Sequence, residues 1–456
     1  MGAALKLFAR HALLPGGWRR DVLLAWDADG DLTSVIDNAA PPDGVELAEY
    51  VVPGMVNLHS HAFQRALGGM TEKAGAGPDS FWTWRELMYR FAGRIAPEQI
   101  EAIAAQLFAE CLRHGYTAVC EFHYLQRDAA GALYARPAET AETVIAAARA
   151  SGIGITMLPV LYSHAGFGAQ PLTPEQARFR TDAGDVLRIV EALEVQRDGQ
   201  VEVGFAPHSL RAAPMDQVAQ VLAAVPVGRP IHIHIAEQQA EVDQCLVATS
   251  MRPVQYLYDQ FDVDARWCLV HATHLSHDEI VQLAASGAVA GLCPTTEANL
   301  GDGLFPLPEF IAAGGRFGIG SDSHVSQSPV EELRWLEYGQ RLQRRQRNIA
   351  ATPAQPQVGD YLWQSALQGG AQAAGRKLGA LAVGCRADLL VLDDAHPNLC
   401  AVAVDEVLGS LLFCGNDNLV RDVLCGGRWQ VRGGRHVAQD AIASAYKCAV
   451  ARLRSL

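Results

Sequence analysis

The chain has 456 residues, of which 49% are hydrophobic and 19% charged, and its formal net charge is −13. This composition is typical of a globular protein with a sizeable core and excludes a disordered or fibrous chain. The excess of acidic residues argues against nucleic acid or an anionic membrane as a partner, because both repel a negative surface. An anionic small molecule would therefore need a local cluster of cationic side chains.

No segment predicts export or membrane insertion. Residues 1–14 are interrupted by Lys6, Arg10 and His11, and no uncharged apolar run is long enough to span a bilayer. The 10 cysteines are scattered without a Cys-x-x-Cys pair, which is typical of reduced, buried thiols. We therefore expect a cytoplasmic protein.

The predicted elements alternate between short apolar runs and longer helical segments. Residues 1–50 contain alternating apolar segments with a turn at 27–30, which predicts a β-hairpin. Apolar residues at three- and four-residue spacing predict helices over 97–114, 140–150 and 185–195. Eight runs rich in Val, Ile and Gly predict strands over 51–61, 117–120, 153–162, 201–207, 230–236, 267–272, 288–293 and 316–320.

Eight strands that alternate with helices predict an α/β fold, a (β/α)8 TIM-like barrel whose strands are buried on both faces. From about residue 378 the pattern returns to β, so the two terminal segments are predicted to form a small β-sandwich together. We expect residues 1–50 and 378–437 in the β-sandwich, residues 51–377 in the barrel and residues 438–456 in a C-terminal helix.

Ionisable side chains gather where the predicted strands end, and the carboxyl ends of barrel strands form the functional face. His59 and His61 end the first run on one face of a strand, either as metal ligands or as a hydrogen-bonded pair. The fifth, sixth and eighth runs lead to His234, His271 and Asp322. Four such ends together predict a metal site.

Other histidines compete for some of these assignments. Alternation places His232 and His234 on the same face, and we expect His234, nearer the strand end, to be the ligand while His232 packs behind it. His274, His277 and His324 follow their runs and are expected in loops or at the surface. The fourth run contains no lysine, so no carboxylated lysine is available to bridge a second metal, and a mononuclear site is favoured.

The segment 53–61 together with the His-x-x-Glu ending at Glu237, His271 and Asp322 resembles the amidohydrolase superfamily in its mononuclear deaminase branch. The Gly-x-x-Ala-Asp-Leu that begins at Gly384 resembles a C-terminal β-sandwich strand of that superfamily. A narrower set of segments resembles the formimidoylglutamate deiminases: residues 57–65, 81–85, 120–124, 207–211 and 295–301. That resemblance implies hydrolysis of N-formimino-L-glutamate to N-formyl-L-glutamate and ammonia in histidine degradation.

The resemblance also implies a role for each site residue. One Zn²⁺ per chain would be bound by four ligands: His59, His61, His234 and Asp322. Glu237 would be the proton shuttle, and His271 and Asp322 would help to remove a proton from water. Substrate contacts are implied for five residues: Gln64, Arg85, Tyr124, His208 and Arg211. Arginine binds carboxylates through two parallel hydrogen bonds, which suits a substrate with two carboxylates.

Two other functions are compatible with parts of this pattern. A deaminase or chlorohydrolase acting on a neutral heterocycle would share the metal ligands but would have no use for Arg85 and Arg211. A catalytically inactive scaffold would be expected to lack a ligand or Glu237, and none is missing. Taken singly, Glu237 is compatible with a helix N-terminal carboxylate and Arg85 with a surface role. Residues 82–89 are expected either to cover the site as a lid or to reach a neighbouring subunit of a homodimer.

Overall fold

The elements follow the order that the sequence predicts. The computed structural model describes residues 5–73 and 80–454. In chain order the strands are β1 (Leu5–Leu14), β2 (Gly17–Trp26), β3 (Leu32–Ile36), β4 (Glu46–Pro53), β5 (Met55–Ser60), β6 (Tyr116–His123), β7 (Gly154–Leu161), β8 (Val201–Val203), β9 (Ala206–Pro207), β10 (Ile231–Ile235), β11 (Trp267–His271), β12 (Val289–Leu292), β13 (Arg316–Ile319), β14 (Leu389–Leu392), β15 (Val420–Cys425), β16 (Arg428–Arg432) and β17 (Arg435–His436). The α-helices are α1 (Phe81–Ala92), α2 (Pro97–His114), α3 (Glu139–Ser151), α4 (Ala183–Glu194), α5 (Met215–Ala224), α6 (Gln239–Thr249), α7 (Pro253–Gln260), α8 (His277–Ser286), α9 (Pro294–Leu300), α10 (Leu307–Ala312), α11 (Pro329–Arg344), α12 (Val358–Ala374), α13 (Val407–Phe413) and α14 (Gln439–Arg454).

The central strands are parallel and form the barrel. Strands β5 to β8 pair side by side, with β9 on β7, and β10 to β13 form a second run. Bridges between Phe205 and Ile231 and between Ser60 and Asp322 join the two runs at both seams. Every residue of β5, β6, β7 and β10 is buried, because helices cover the outside and side chains fill the inside. The predicted barrel is confirmed.

The first predicted strand, 51–61, is two strands in the structure. Residues 51–53 end β4, which pairs with β14 through Pro53 and Leu389, whereas β5 begins in the barrel at Met55. Gly54 lies between them, and a Cβ at this position would be 2.3 Å from the side chain of Thr117. Only glycine permits this close approach at the point where the chain passes from one sheet to the other.

Both ends of the chain contribute to one eight-stranded sheet, in the order β17-β16-β15-β14-β4-β1-β2-β3. Antiparallel pairing of β14 with β4 joins the C-terminal strands to the N-terminal ones. The sheet has a hydrophobic core of its own, which includes Leu7, Trp26 and Leu389. This confirms the prediction that the terminal segments build a shared β unit beside the barrel.

The predicted helices are also present. The segment 97–114 is α2, which starts with Pro97 in its first turn and ends before Gly115, whose φ of 105° is left-handed. The segments 140–150 and 185–195 correspond to α3 and α4, and the C-terminal helix is α14. None of the ten cysteines forms a disulfide. Within the described ranges, no helix combines the length and apolar character needed to cross a membrane.

Candidate active site

The carboxyl ends of β5, β10, β11 and β13 meet at one end of the barrel and carry the predicted ionisable side chains. His59 lies in β5 and His61 follows it, His234 lies in β10, His271 ends β11, and Asp322 follows β13. All five side chains are buried, since none of these residues is more than 6% exposed. The barrel therefore collects residues that are far apart in the sequence.

Four of these side chains form one cluster of possible metal donors: His59, His61, His234 and Asp322. Their donor atoms all lie within 4.8 Å of one another. Oδ1 of Asp322 is 3.3 Å from Nε2 of His59 and 3.3 Å from Nε2 of His61. The Nε2 atoms of His59 and His234 are 3.0 Å apart.

Hydrogen bonds on the far side of two rings decide which atoms face this cluster. Nδ1 of His61 donates to the backbone oxygen of Phe122, and Nδ1 of His234 to that of His208, both at 2.9 Å. A carbonyl oxygen only accepts, so the proton of each ring is on Nδ1 and Nε2 offers a lone pair. Two lone pairs and a carboxylate that converge in this way fit a bound cation.

Burial keeps these imidazoles neutral. It lowers the pKa of His59 to about 3, and it also lowers the pKa of His61 and that of His234. For Asp322, burial opposes ionisation, but the hydrogen bond with His59 and electrostatic interactions with the neighbouring histidines outweigh it and lower the pKa. Neutral imidazoles with an ionised carboxylate are the protonation states that bind metal ions.

Glu237 and His271 lie beside the cluster. Nε2 of His271 is 3.6 Å from Oε1 of Glu237 and 4.0 Å from Oδ2 of Asp322. Burial raises the pKa of Glu237 to about 7, so its carboxyl group can take up and release a proton near neutral pH. At His271, burial lowers the pKa, but the carboxylates of Glu237 and Glu297 outweigh it and raise the pKa to about 10.

The backbone at these strand ends is left-handed at several residues other than glycine. The φ angles are 51° at Ala236, 68° at His271, 50° at Ala272, 43° at Asp322 and 64° at His324. Each such residue costs about 1–3 kcal/mol and persists only where the surrounding structure enforces it. The strain is concentrated next to the candidate ligands.

A single cavity lies in front of the cluster, and every residue predicted for the site lines it except His59, which is fully buried behind it. The five predicted substrate contacts are all among its walls: Gln64, Arg85, Tyr124, His208 and Arg211. Nε2 of Gln64 donates to the hydroxyl of Tyr124 at 2.8 Å. Arg85 lies on α1, 4.4 Å from the centre of the Trp82 ring. Because Arg85 lines the cavity, α1 contributes to the cavity of its own chain.

Comparison with known proteins identifies the family. The model of the amidohydrolase family matches residues 50–429. The chain belongs to the amidohydrolase family. A relative from Pseudomonas aeruginosa, named formimidoylglutamate deiminase, is 54% identical over 96% of this chain and 97% of its own. A 5-methylthioadenosine/S-adenosylhomocysteine deaminase from Natronomonas pharaonis is 28% identical over 89% of this chain and 87% of its own.

Solved structures agree with this assignment. The crystal structure of an amidohydrolase from Brucella melitensis has a TM-score of 0.93 at 44% identity, covering 98% of this chain and 99% of that one. An adenosine deaminase from Xanthomonas campestris with bound zinc has a TM-score of 0.81 at 21% identity, covering 99% and 98%. The similarity to this deaminase shows that the two proteins share a fold.

The remaining histidines are not all at the surface. His232 is buried, and its Nε2 lies 2.8 Å from the backbone oxygen of Ala373, as expected for a packed residue. His274 is half-buried and His277 is exposed. His324 lies in the loop after β13, which is one of the two positions predicted, but it is not at the surface, because its ring is buried between Ser321 Oγ at 2.9 Å and Ser60 Oγ at 3.2 Å.

Sequence reasoning assigns no role to three buried glutamates of this amidohydrolase. Glu121 accepts from Ser60 Oγ at 2.5 Å and from the Ala62 N–H at 2.7 Å. Glu297 lies 3.4 Å from Nδ1 of His271, and Glu241 pairs with Arg211. Glu121 and Glu297 belong to segments that carry the family resemblance, and Glu241 follows Glu237 by four residues. Their positions in the sequence could have indicated that these glutamates lie near the site.

Proposed function

We propose that this amidohydrolase is a zinc-dependent formimidoylglutamate deiminase, which hydrolyses N-formimino-L-glutamate to N-formyl-L-glutamate and ammonia in histidine degradation. The observation that carries the proposal is one cavity that combines a mononuclear donor cluster, a buried carboxyl group at Glu237 and the guanidinium groups of Arg85 and Arg211. The 54% identity with the Pseudomonas aeruginosa relative of that name supports the substrate.

The proposed ion is zinc, one per chain, held by the four-residue donor cluster. Three imidazoles and one carboxylate with a further open position are a donor set that suits Zn²⁺. A bound Zn²⁺ lowers the pKa of a water from roughly 15.7 to about 7 and so makes hydroxide available at neutral pH.

The protein's own side chains would move the protons. Asp322 and His271 face the same side of the cavity. Asp322 would accept a hydrogen bond from the attacking water and His271, which its raised pKa keeps protonated, would donate one, so that the water can lose a proton to Glu237. Glu237 would hydrogen-bond the terminal nitrogen of the amidine during attack on the formimino carbon. It would then give the proton taken from the water to that nitrogen as the carbon–nitrogen bond breaks, while Asp322 would take the proton of the new hydroxyl group, which releases ammonia and leaves the formyl group.

The substrate's two carboxylates would be bound by the cationic part of the cavity. Arg85 and Arg211 provide two guanidinium groups in a chain whose net charge is −13, so the positive charge is local. Gln64, Tyr124 and His208 add neutral polar groups to the same walls. Aromatic and apolar side chains complete the cavity and would limit water: Phe81, Trp84, Met88, Tyr89, Tyr162 and Phe179.

The experiment is ammonia release from N-formimino-L-glutamate by purified, zinc-loaded protein, with guanine, cytosine and adenosine assayed in parallel. Fast turnover of the formimino compound alone, lost in Arg211→Ala, is the expected result. Turnover of a ring compound with the formimino compound inert would refute the substrate and favour a heterocycle deaminase. Metal analysis of the same preparation tests the stoichiometry of one zinc per chain.

The proposal includes the setting in which the enzyme works. Residues 51–377 would be the catalytic barrel, flanked by the β unit of 1–50 and 378–437 and by the C-terminal helix of 438–456. The enzyme would act in the cytoplasm as a homodimer. Sedimentation of the purified protein would test the dimer, and a particle of one chain would refute it.

A further inference from the structure

Glu241 is a buried carboxylate with few contacts. It lies in the first turn of α6 and is 1% exposed. Oε2 of Glu241 is 3.3 Å from Nη1 of Arg211. Neither of its carboxylate oxygens accepts a hydrogen bond from any residue that the structure describes. Its pairing with Arg211 is thus the one ion pair that it makes among those residues.

Five other buried glutamates accept hydrogen bonds from backbone N–H groups, which compensate for the burial of a charge. These residues, each with its backbone donors, are Glu121 (Ala62), Glu279 (Val254 and Ser276), Glu297 (Cys293), Glu332 (Thr295) and Glu337 (Ile349 and Ala350). Each therefore helps to hold a loop or a helix end. Glu241 makes no such bond, so support of the backbone does not explain why a carboxylate is buried there.

Arg211 is the group that Glu241 contacts. It is 7% exposed and lines the cavity, whereas Glu241 does not line it. A guanidinium group has five N–H donors in one plane, and a carboxylate at one edge leaves the others free to bind a second carboxylate. A side chain held in this way loses less conformational entropy when it binds its ligand.

We infer that Glu241 is the positioning residue for Arg211 and orients its guanidinium group toward a carboxylate of the substrate. The inference rests on the proposed function, because it assigns Arg211 to substrate binding. Glu241 touches no reacting atom. Its loss is therefore expected to weaken substrate binding and to leave the chemical step nearly unchanged.

The first test compares Glu241→Gln with Glu279→Gln. Loss of the negative charge that is paired with Arg211 raises the KM of Glu241→Gln for N-formimino-L-glutamate by about tenfold to hundredfold, with kcat within about twofold of wild type. Glu279 is the matched control because it is also fully buried and paired with an arginine, Arg252, at 2.7 Å, but lies outside the cavity. Glu279→Gln should lose thermal stability and keep the wild-type KM.

The second test uses two substrate analogues, each of which lacks one of the two carboxylates. Arg211→Ala raises KM only for compounds that retain the carboxylate that Arg211 binds. Glu241→Gln must show the same pattern: its KM must equal the wild-type KM for the analogue that lacks the carboxylate bound by Arg211. A general loss of structure would raise KM for both analogues. If Glu241→Gln does not fold, Glu241→Asp keeps the charge, withdraws it by one methylene and should show the same analogue dependence.

Several results would overturn the inference. They are a wild-type or lowered KM in Glu241→Gln, a fall in its kcat as large as the rise in its KM, and a rise in its KM with both analogues alike. These outcomes are distinct from failure of the proposed function, in which the wild-type enzyme itself does not release ammonia from N-formimino-L-glutamate.

Discussion

Substitution of Gly320 by alanine should weaken metal binding, although Gly320 itself is not one of the possible metal donors. Gly320 directly follows β13, and a Cβ built on it would lie 2.7 Å from both Cβ and the backbone N of His59. Ordinary contact begins at 3.4 Å, so the two strand ends would have to separate by about 0.7 Å. Because His59 belongs to the donor cluster, the displacement is passed directly to Nε2.

The expected magnitudes follow from this distance. Overpacking of this kind costs about 1–3 kcal/mol. Unfolding entropy is about 2.1 cal/mol/K per residue, so in a chain of 456 residues each kcal/mol lowers Tm by only about 1 °C. Metal–ligand distances tolerate changes of only about 0.2 Å, so we expect zinc affinity to fall by about tenfold to hundredfold. Zinc affinity is therefore the more sensitive readout.

The assay is competition for zinc between the protein and a chromophoric chelator, with thermal unfolding of the metal-free and zinc-loaded forms. Gly409→Ala is the control, because Gly409 lies in α13 and a Cβ there has no neighbour within 4 Å. It should keep the wild-type zinc affinity and gain up to about 1 kcal/mol from helix propensity. Wild-type zinc affinity in Gly320→Ala would refute the reasoning that strand contact positions His59.

Three further predictions concern the chemistry of the site. Glu237→Gln should lower kcat by about 10²–10⁴ with zinc content unchanged, as measured by ammonia release and metal analysis; a wild-type kcat would exclude a shuttle role. Glu297→Ala should lower kcat by about tenfold to hundredfold because Nδ1 of His271 loses its partner, with Glu297→Gln less affected; equal kcat in both variants and wild type would contradict this. Removal of metal by a chelator should abolish ammonia release. It should also lower the free energy of unfolding by about 4 kcal/mol relative to protein in zinc at a thousand times Kd, and full activity after verified removal would refute a metal-dependent mechanism.

Local sequence pattern was enough to predict the barrel strands and the strand ends at which the possible metal donors lie. The helix 97–114 has helical periodicity, a proline in its first turn and a glycine after its end, all of which act within a few residues. Histidines and an aspartate at the ends of apolar runs predict convergence, because parallel barrel strands bring their carboxyl ends to one face. These inferences need only chain-local periodicity and one topological rule.

Contacts between distant segments decided the rest. Gly54, where the predicted strand 51–61 breaks, lies against Thr117, and the ring of His324 is buried beside Ser60 in the first barrel strand. The pairing of Glu241 with Arg211 likewise depends on how α6 packs beside the loop that follows β9. A residue's local pattern does not encode which distant atom it will meet. The sequence alone therefore determined which residues could carry the chemistry, and the tertiary structure decided how each of them is held.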